Sequence, residues 1–170
     1  MALYAIGDLH LSLTANKSME VFGEAWKNYV ARIEESLSTL TDDDTLVLAG
    51  DTSWGIDLPE AEADFRFLDR FPGKKYLIKG NHDYWWTTAA KFRAFCTEKG
   101  FTTLEVLHNN CAFYGDYAIC GTRGWFFEEE RSGQHDEKVF KRELLRLEAS
   151  LKAAGDRPKL VFLHYPPRYK

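Results

Sequence analysis

The 170-residue chain contains only three cysteines and five prolines. The cysteines, Cys96, Cys111 and Cys120, form no CxxC pair, and their odd number argues against a disulfide framework. Each lies in an apolar context, so we interpret them as reduced core residues. No stretch reaches the roughly 18 apolar residues that a membrane span needs. The N-terminus, MALYAIGDLH, lacks the basic and apolar regions of a signal peptide. We therefore expect a soluble, cytoplasmic protein.

An excess of positive charge is also missing. The chain has 22 Lys and Arg against 26 Asp and Glu, for a formal charge of −4. Such a balance gives no electrostatic footprint for a nucleic-acid backbone. It leaves a phosphorylated substrate open, because bound metal ions can reverse the local sign. With 45% hydrophobic residues, the length suits a single domain over residues 1–170.

Strands and helices are predicted to alternate along the chain. Strands are predicted at residues 2–8, 45–51, 74–81, 102–110, 111–116, 117–124 and 158–164. Helices are predicted at residues 21–40, 59–71 and 87–100, and in a fourth segment with an apolar face of Phe140, Leu144, Leu147, Leu151 and Ala154. This order favours an α/β protein with two sheets and helices outside them.

Polar side chains follow the predicted strands at the points where these end. The first strand runs into GDLH (7–10), the second into GD (50–51) and the third into GNHD (80–83), while the last ends in a histidine. Ligands of α/β sheets gather at the carboxyl ends of the strands. We therefore expect one group of side chains to converge there: Asp8, His10, Asp51, Asn81, His82, Asp83 and His164.

The residue types in this group are suited to metal binding. Asp8 and His10 are two positions apart, so on an extended segment both point the same way and could hold one metal. Asp51 could bridge two metals, Asn81 offers an amide oxygen and His164 a ring nitrogen. A lone Asp-x-His pair or a lone histidine is more often structural, but the ordered set favours a metal site. Mixed oxygen and nitrogen ligands without thiolate suit Mn, Fe or Zn.

The motifs GDLH, GDTSW, GNHD and FLHYPP resemble those of the calcineurin-like metallophosphoesterases, from residue 3 to the chain end. The resemblance implies a four-layer α/β/β/α sandwich with a two-metal site between its loops. It implies that Asp8, His10 and Asp51 hold one metal and that Asp51, Asn81 and His164 hold the other. The two divalent ions would be Mn²⁺ or Fe, with Zn²⁺ as a further option.

The resemblance also implies a reaction. A metal-bridging hydroxide would attack a phosphate ester, either a monoester or a diester, of a small molecule or a nucleotide. His82 would act as the general acid that protonates the leaving oxygen. Asp83 would orient His82 and support its charge. Metal-dependent hydrolysis of an amide is a further reading, which the position of His82 disfavours.

The aromatic residues near these motifs have two readings. Trp54, Tyr84, Trp85 and Trp86 could line the pocket and stack on a base or aryl group, or they could pack between the sheet and the next helix. Arg123 follows a strand and lies between two glycines. Its guanidinium could bind a substrate phosphate, and a plain turn role is about as compatible with the sequence.

One motif of the family is missing. The family carries a GHxH motif downstream of the strand-terminal histidine, whereas this chain ends at Lys170 and contains no such motif. We expect a C-terminally truncated domain without its last strands, with three protein ligands for each metal. An unpaired sheet edge would then favour a homodimer. The alternative function is that of a shortened family member with an incomplete metal site, inactive or acting as an interaction module.

Overall fold

The computed structural model describes residues 1–125 and 133–166. Its strands are β1 (Leu3–Ile6), β2 (Thr45–Leu48), β3 (Lys74–Leu77), β4 (Leu104–Val106), β5 (Cys111–Tyr114), β6 (Tyr117–Thr122) and β7 (Lys159–Leu163). Its α-helices are α1 (Tyr29–Leu37), α2 (Leu58–Asp69), α3 (Ala89–Lys99) and α4 (Gln134–Ala153). Each predicted strand is present with narrower bounds. Pro167, the last residue of the FLHYPP motif, lies outside the described residues.

The strands form two sheets. The first has the order β1-β2-β3-β4, and all its neighbouring strands are parallel. The second has the order β5-β6-β7, in which β5 is antiparallel to β6 and β6 is parallel to β7. Gly115 and Asp116 form the predicted turn between β5 and β6, with Gly115 at φ 54°. In the first sheet, all four carboxyl ends therefore lie at one edge.

Four layers result from the way the apolar residues alternate. On one face of the first sheet, Leu48 and Leu77 pack with the helical residues Phe65 and Phe92. On its other face, residues of β2 and β3 pack against β5 and β6, and this inter-sheet core contains Val47, Ile78, Leu107, Ala112 and Ile119. Helix α4 covers the outer face of the second sheet. The predicted α/β/β/α sandwich is therefore confirmed.

The helix predicted at residues 21–40 is shorter than expected. Two 3₁₀ turns, Met19–Phe22 and Glu24–Trp26, precede α1, which begins only at Tyr29. Gly23 has φ 114° and Asn28 has φ 51°, and neither conformation continues a right-handed helix. The apolar spacing of this segment predicts one continuous helix, but the backbone leaves the helical conformation at Gly23 and again at Asn28.

The buried face of α4 also differs from the predicted one. Leu144 is 49% exposed, whereas Glu143 and Ser150 are buried. Ser150 Oγ donates to Asn110 O and accepts from Gly121 N, so polar contacts with the second sheet set the rotation of the helix. No helix in the described part of the chain is long and apolar enough to cross a membrane.

Lys75 in β3 is a buried cation with unusual surroundings. Its side chain has no exposed surface, and its Nζ donates to the carbonyl oxygens of Phe71, Pro72 and Gly73. Burial lowers the pKa of Lys75 to about 8, with Asp69 acting in the opposite direction. Between that pKa and the ordinary value near 10.4, the unfolded chain binds more protons than the folded one.

This pKa predicts a pH-dependent gain in stability. As the pH rises from about 7 to about 10, the contribution of Lys75 to the free energy of unfolding should increase by roughly 2–3 kcal/mol. The measurement is urea unfolding of the wild type and of Lys75→Met across that range, because the difference between their pH profiles isolates this one group. Lys91→Met, at an exposed position of α3, is the matched control. Parallel profiles for wild type and Lys75→Met would contradict the prediction.

Candidate metal centre

The first two strand-end loops run side by side at the carboxyl edge of the first sheet. Asp8 N donates to Gly50 O at 3.0 Å, and His10 N donates to Asp51 O at 2.9 Å. Asp8, His10 and Asp51 have φ of 56°, 46° and 53°, in the left-handed region that L-residues seldom occupy. Backbone strain of this kind concentrates at functional sites, where the surrounding structure enforces it.

Two glycines allow the loops to approach so closely. Gly80 lies against Asp51, and a Cβ added there would stand 2.2 Å from Asp51 N. Gly50 has φ 99°, and a Cβ there would stand 2.5 Å from His164 Nδ1. The glycines before Asp51 and Asn81 are therefore required by close packing, and Gly50 also by its backbone conformation.

His10 lies between two carboxylates. Its Nε2 is 3.6 Å from Asp8 Oδ1 and 3.7 Å from Asp51 Oδ2. Burial lowers the pKa of His10, although Asp51 and Asp8 act in the opposite direction. A neutral imidazole is the form that binds a metal. The three side chains thus provide one nitrogen and two carboxylates around a common space.

His164 completes a second group with the same aspartate. Its Nε2 is 3.7 Å from Asp51 Oδ2 and 2.8 Å from Asn81 Oδ1. Its Nδ1 is 2.9 Å from Ala49 O, an atom that only accepts, so Nδ1 carries the proton and Nε2 is an acceptor. In the neutral ring, Nε2 is thus the nitrogen available to a metal ion, and it lies beside the amide oxygen of Asn81. Ligand atoms of Asp8, Asp51 and His164 all lie within 4.8 Å of one another.

The donor set therefore fits divalent cations. Asp51 Oδ2 is equidistant from the Nε2 atoms of His10 and His164, which is the position of a bridging ligand. The ligands are nitrogen and oxygen atoms without sulfur, which suits Mn, Fe or Zn.

His82 stands beside this group. Its ring centroid is 5.8 Å from that of His10 and 4.7 Å from that of Trp54. Its backbone N–H donates to Asp51 Oδ1 at 2.8 Å, which fixes the loop relative to the shared carboxylate. Among the described residues, its buried Nδ1 has no hydrogen-bond partner. The half-buried imidazole thus lies next to the candidate metal ligands, and its Nδ1 remains available for a further hydrogen bond.

Asp83 has different partners from those expected. Its carboxylate accepts from the backbone N–H groups of Asp51, Thr52 and Gly80 at 2.9, 2.8 and 2.7 Å, and from Trp85 Nε1 at 2.9 Å. It is 1% exposed, and burial raises its pKa while these hydrogen bonds act in the opposite direction. The predicted contact with the imidazole of His82 is not formed, because both oxygens of Asp83 face the loop backbones. Asp83 instead joins the second and third strand-end loops.

Aromatic side chains surround the two histidines. Trp54 stacks on His10, with centroids 4.9 Å apart and an interplanar angle of 25°. Tyr84 is 57% exposed, with its ring edge-on to His82. Trp85, in contrast, is 2% exposed and belongs to the helix-covered core of the first sheet. The packing reading is therefore correct for Trp85, whereas Trp54 and Tyr84 line the centre.

The guanidinium of Arg123 is paired with Glu143 rather than with a candidate metal ligand. Its side chain is 12% exposed, and its guanidinium faces Glu143 of α4 at 3.4 Å. Its carbonyl oxygen accepts from Tyr165 N at 2.8 Å, which connects the end of β6 to the segment after β7. The residue thus borders the centre through its backbone, and its side chain belongs to a neighbouring pocket.

Asp64, a buried residue that connects two of the strand-end loops, was not identified from the sequence. Asp64 of α2 is buried and accepts from Ser53 Oγ and from Leu13 N, so it joins the first two strand-end loops from behind. Burial raises the pKa of Asp64. The only available signal was an acidic residue within an otherwise core-facing helix pattern.

An α/β sandwich whose strand-end loops bring together nitrogen and oxygen atoms offers a candidate site for metal ions. The family model for calcineurin-like phosphoesterases matches residues 1–170, so the chain belongs to that family. Its members are metal-dependent phosphoester hydrolases that generally bind two divalent ions. The resemblance of the motifs is thereby confirmed.

Among solved structures, the chain is similar to a protein of unknown function from Aquifex aeolicus. The TM-score is 0.50 at 20% identity, over 88% of this chain and 75% of that chain. At this identity, the likeness shows the fold alone. A comparison with curated proteins found no match.

Proposed function

We propose that this chain hydrolyses phosphate esters at a centre of two divalent metal ions. The observation that carries the proposal is the position of Asp51, whose Oδ2 is 3.7 Å from Nε2 of both His10 and His164. Asp8 and His10 would hold one ion with Asp51, and Asn81 and His164 would hold the other with it. Mn²⁺ or Fe suits this set, with Zn²⁺ as the alternative. When bound, such ions supply a nucleophilic hydroxide and neutralise the phosphoryl oxygens.

His82 supplies the proton in this proposal. A departing alkoxide needs a proton donor close to the metal ligands, and an imidazole titrates near neutral pH. The ring of His82 lies beside that of His10, and its own backbone is tied to Asp51. Trp54 packs against both rings and restricts their rotation. Asp83 acts as a positioning residue, because it holds the loops that carry Asp51 and Asn81.

The substrate is a phosphorylated small molecule or a nucleotide. The metal ligands are compatible with both monoesters and diesters, so the residues around the centre set the preference. Trp54 and Tyr84 border the histidines and offer aromatic surface to a planar leaving group.

Metal content and turnover test the proposal together. After incubation with Mn²⁺ and desalting, elemental analysis should find two ions per chain, and the loaded protein should hydrolyse aryl phosphates but not aryl amides. Asp51→Asn should lower the metal count and abolish turnover, because it removes the carboxylate shared by both groups. Asp43→Asn, at an exposed position in the turn before β2, is the matched control. One ion or none, or two ions without hydrolysis of any ester, would contradict the proposal.

A further inference from the structure

A second polar pocket lies next to the metal centre. It is lined by Lys79, Trp86, His108, Arg123, Glu143 and Arg146, among others. We propose that this pocket binds an anionic group of the substrate, a phosphate or a carboxylate, other than the phosphate that is hydrolysed. This inference rests on the proposed function and assigns a substrate class to it: phosphate esters that carry a second anionic group.

The charge of the pocket is the first argument. Lys79, Arg123 and Arg146 bring three positive charges, and Glu143 is the only acidic residue among the described residues that line it. The formal excess is therefore 3 − 1 = +2, in a chain whose formal charge is −4. The cations thus repel one another, and an anion among them would relieve that repulsion.

Unused hydrogen-bond donors are the second argument. Within residues 1–125 and 133–166, the buried Nε of Arg123 and the buried Nε1 of Trp86 have no hydrogen-bond partner. Both atoms can only donate, and a buried donor without an acceptor is unfavourable. A ligand that satisfies them must present acceptor oxygens. Phosphate and carboxylate groups do so, and both pair with guanidinium groups in a matching geometry.

Glu143 holds the guanidinium groups of Arg146 and Arg123. Its Oε1 is 2.7 Å from Arg146 Nη1 and 3.4 Å from Arg123 Nη2, and its Oε2 accepts from Thr122 Oγ1 at 2.6 Å. The remaining space has room for about one water molecule. An anionic group would therefore enter by displacing water and by drawing Arg123 and the partly exposed Arg146 away from Glu143.

The pocket shares a wall with the metal centre. Along the chain, Lys79 precedes and Trp86 follows the GNHD segment that carries Asn81 and His82. Arg123 lines the pocket, and its carbonyl oxygen accepts at 2.8 Å from the backbone N–H of Tyr165, the residue that directly follows His164. A substrate whose scissile phosphate lies at the centre would place a second anionic group toward the pocket.

The test uses the indole signals of the full-length chain. The protein has five tryptophans, so its ¹H–¹⁵N spectrum contains five indole signals, and Trp86→Phe identifies the one from the pocket. Metal ions are first removed with EDTA and the chelator is dialysed away, and inorganic phosphate is then titrated into the metal-free protein. The Trp86 signal should shift saturably. Arg146→Gln should weaken the apparent affinity by about tenfold or more.

Controls separate this site from general charge effects. Arg93→Gln removes the same charge from an exposed position of α3 and should leave the titration unchanged. Lys79→Gln is the second pocket variant, and it replaces Arg146→Gln if the spectrum of that protein shows that it does not fold. A parallel titration with acetate distinguishes the two ligand chemistries: a response to either ion supports the proposal and names the group.

Two results would contradict the proposed anion site. A Trp86 signal that moves with neither ion, or that moves identically in wild type and in both pocket variants, rules out an anion site here. Because the NMR titration does not depend on hydrolysis, the anion site and the proposed function can be contradicted independently. A saturable response in a chain without phosphoesterase activity supports the pocket and contradicts the proposed function. Hydrolysis without a Trp86 response does the reverse.

Discussion

Replacing Asp83 with asparagine is expected to lower the free energy of unfolding by about 3–5 kcal/mol. The carboxylate is 1% exposed, and each of its oxygens accepts from at least two N–H donors. Asparagine presents an NH₂ group on one side, so in either orientation at least two hydrogen bonds become donor–donor contacts. Urea unfolding near pH 7 measures the loss.

The control for this substitution is Asp116→Asn, the same change at an exposed hairpin turn. It should alter the free energy of unfolding by no more than about 0.5 kcal/mol. The effect at Asp83 should extend to the metal centre, because the donors include the backbones of Asp51 and Gly80. A variant as stable as the wild type would mean that the loops hold their positions without this carboxylate.

Replacing His82 with glutamine is expected to lower kcat for phenyl phosphate by about 10²–10⁴-fold. This expectation rests on the proposed role of His82 as the proton donor to the leaving oxygen. p-Nitrophenyl phosphate has a much better leaving group that needs little protonation, so its kcat should fall far less. Steady-state kinetics with both esters therefore separates proton donation from a general disturbance of the site.

Two further measurements complete that experiment. The metal content of His82→Gln should equal that of the wild type, because His82 is not among the proposed ligands. His135→Gln, at an exposed position in the first turn of α4, should behave as the wild type toward both esters. Equal losses of kcat for both esters would remove His82 from the role of general acid.

The positions of the metal-site residues could be predicted because they follow from local sequence. Asp8, Asp51 and Asn81 come directly after glycines that follow apolar strands, and parallel strands place such ends at one edge of the sheet. His164 follows β7 in the same way, although it belongs to the second sheet. Strand identity and order were therefore enough to bring these four side chains together.

Other features depend on contacts that residue spacing does not encode. Asp83 stands next to His82 in the sequence, yet two of its partners, the backbone N–H groups of Asp51 and Thr52, lie about 30 residues away in the second strand-end loop. Glu143 lies on an apolar helix pattern, and its pairing with Arg123 appears only once α4 is packed on β6. The left-handed conformation of Asn28, which precedes α1, likewise had no signature in the apolar periodicity.

The contribution of His164 from the second sheet joins chain segments that are otherwise far apart. Its ring contacts Ala49 and Asn81, which are 115 and 83 residues away along the chain and follow strands of the first sheet. A cation bound by both this histidine and Asp51 would link the second sheet to the first. Any motion that separates the sheets would then have to release the cation. Cation binding and the separation of the two sheets would then be coupled in one equilibrium.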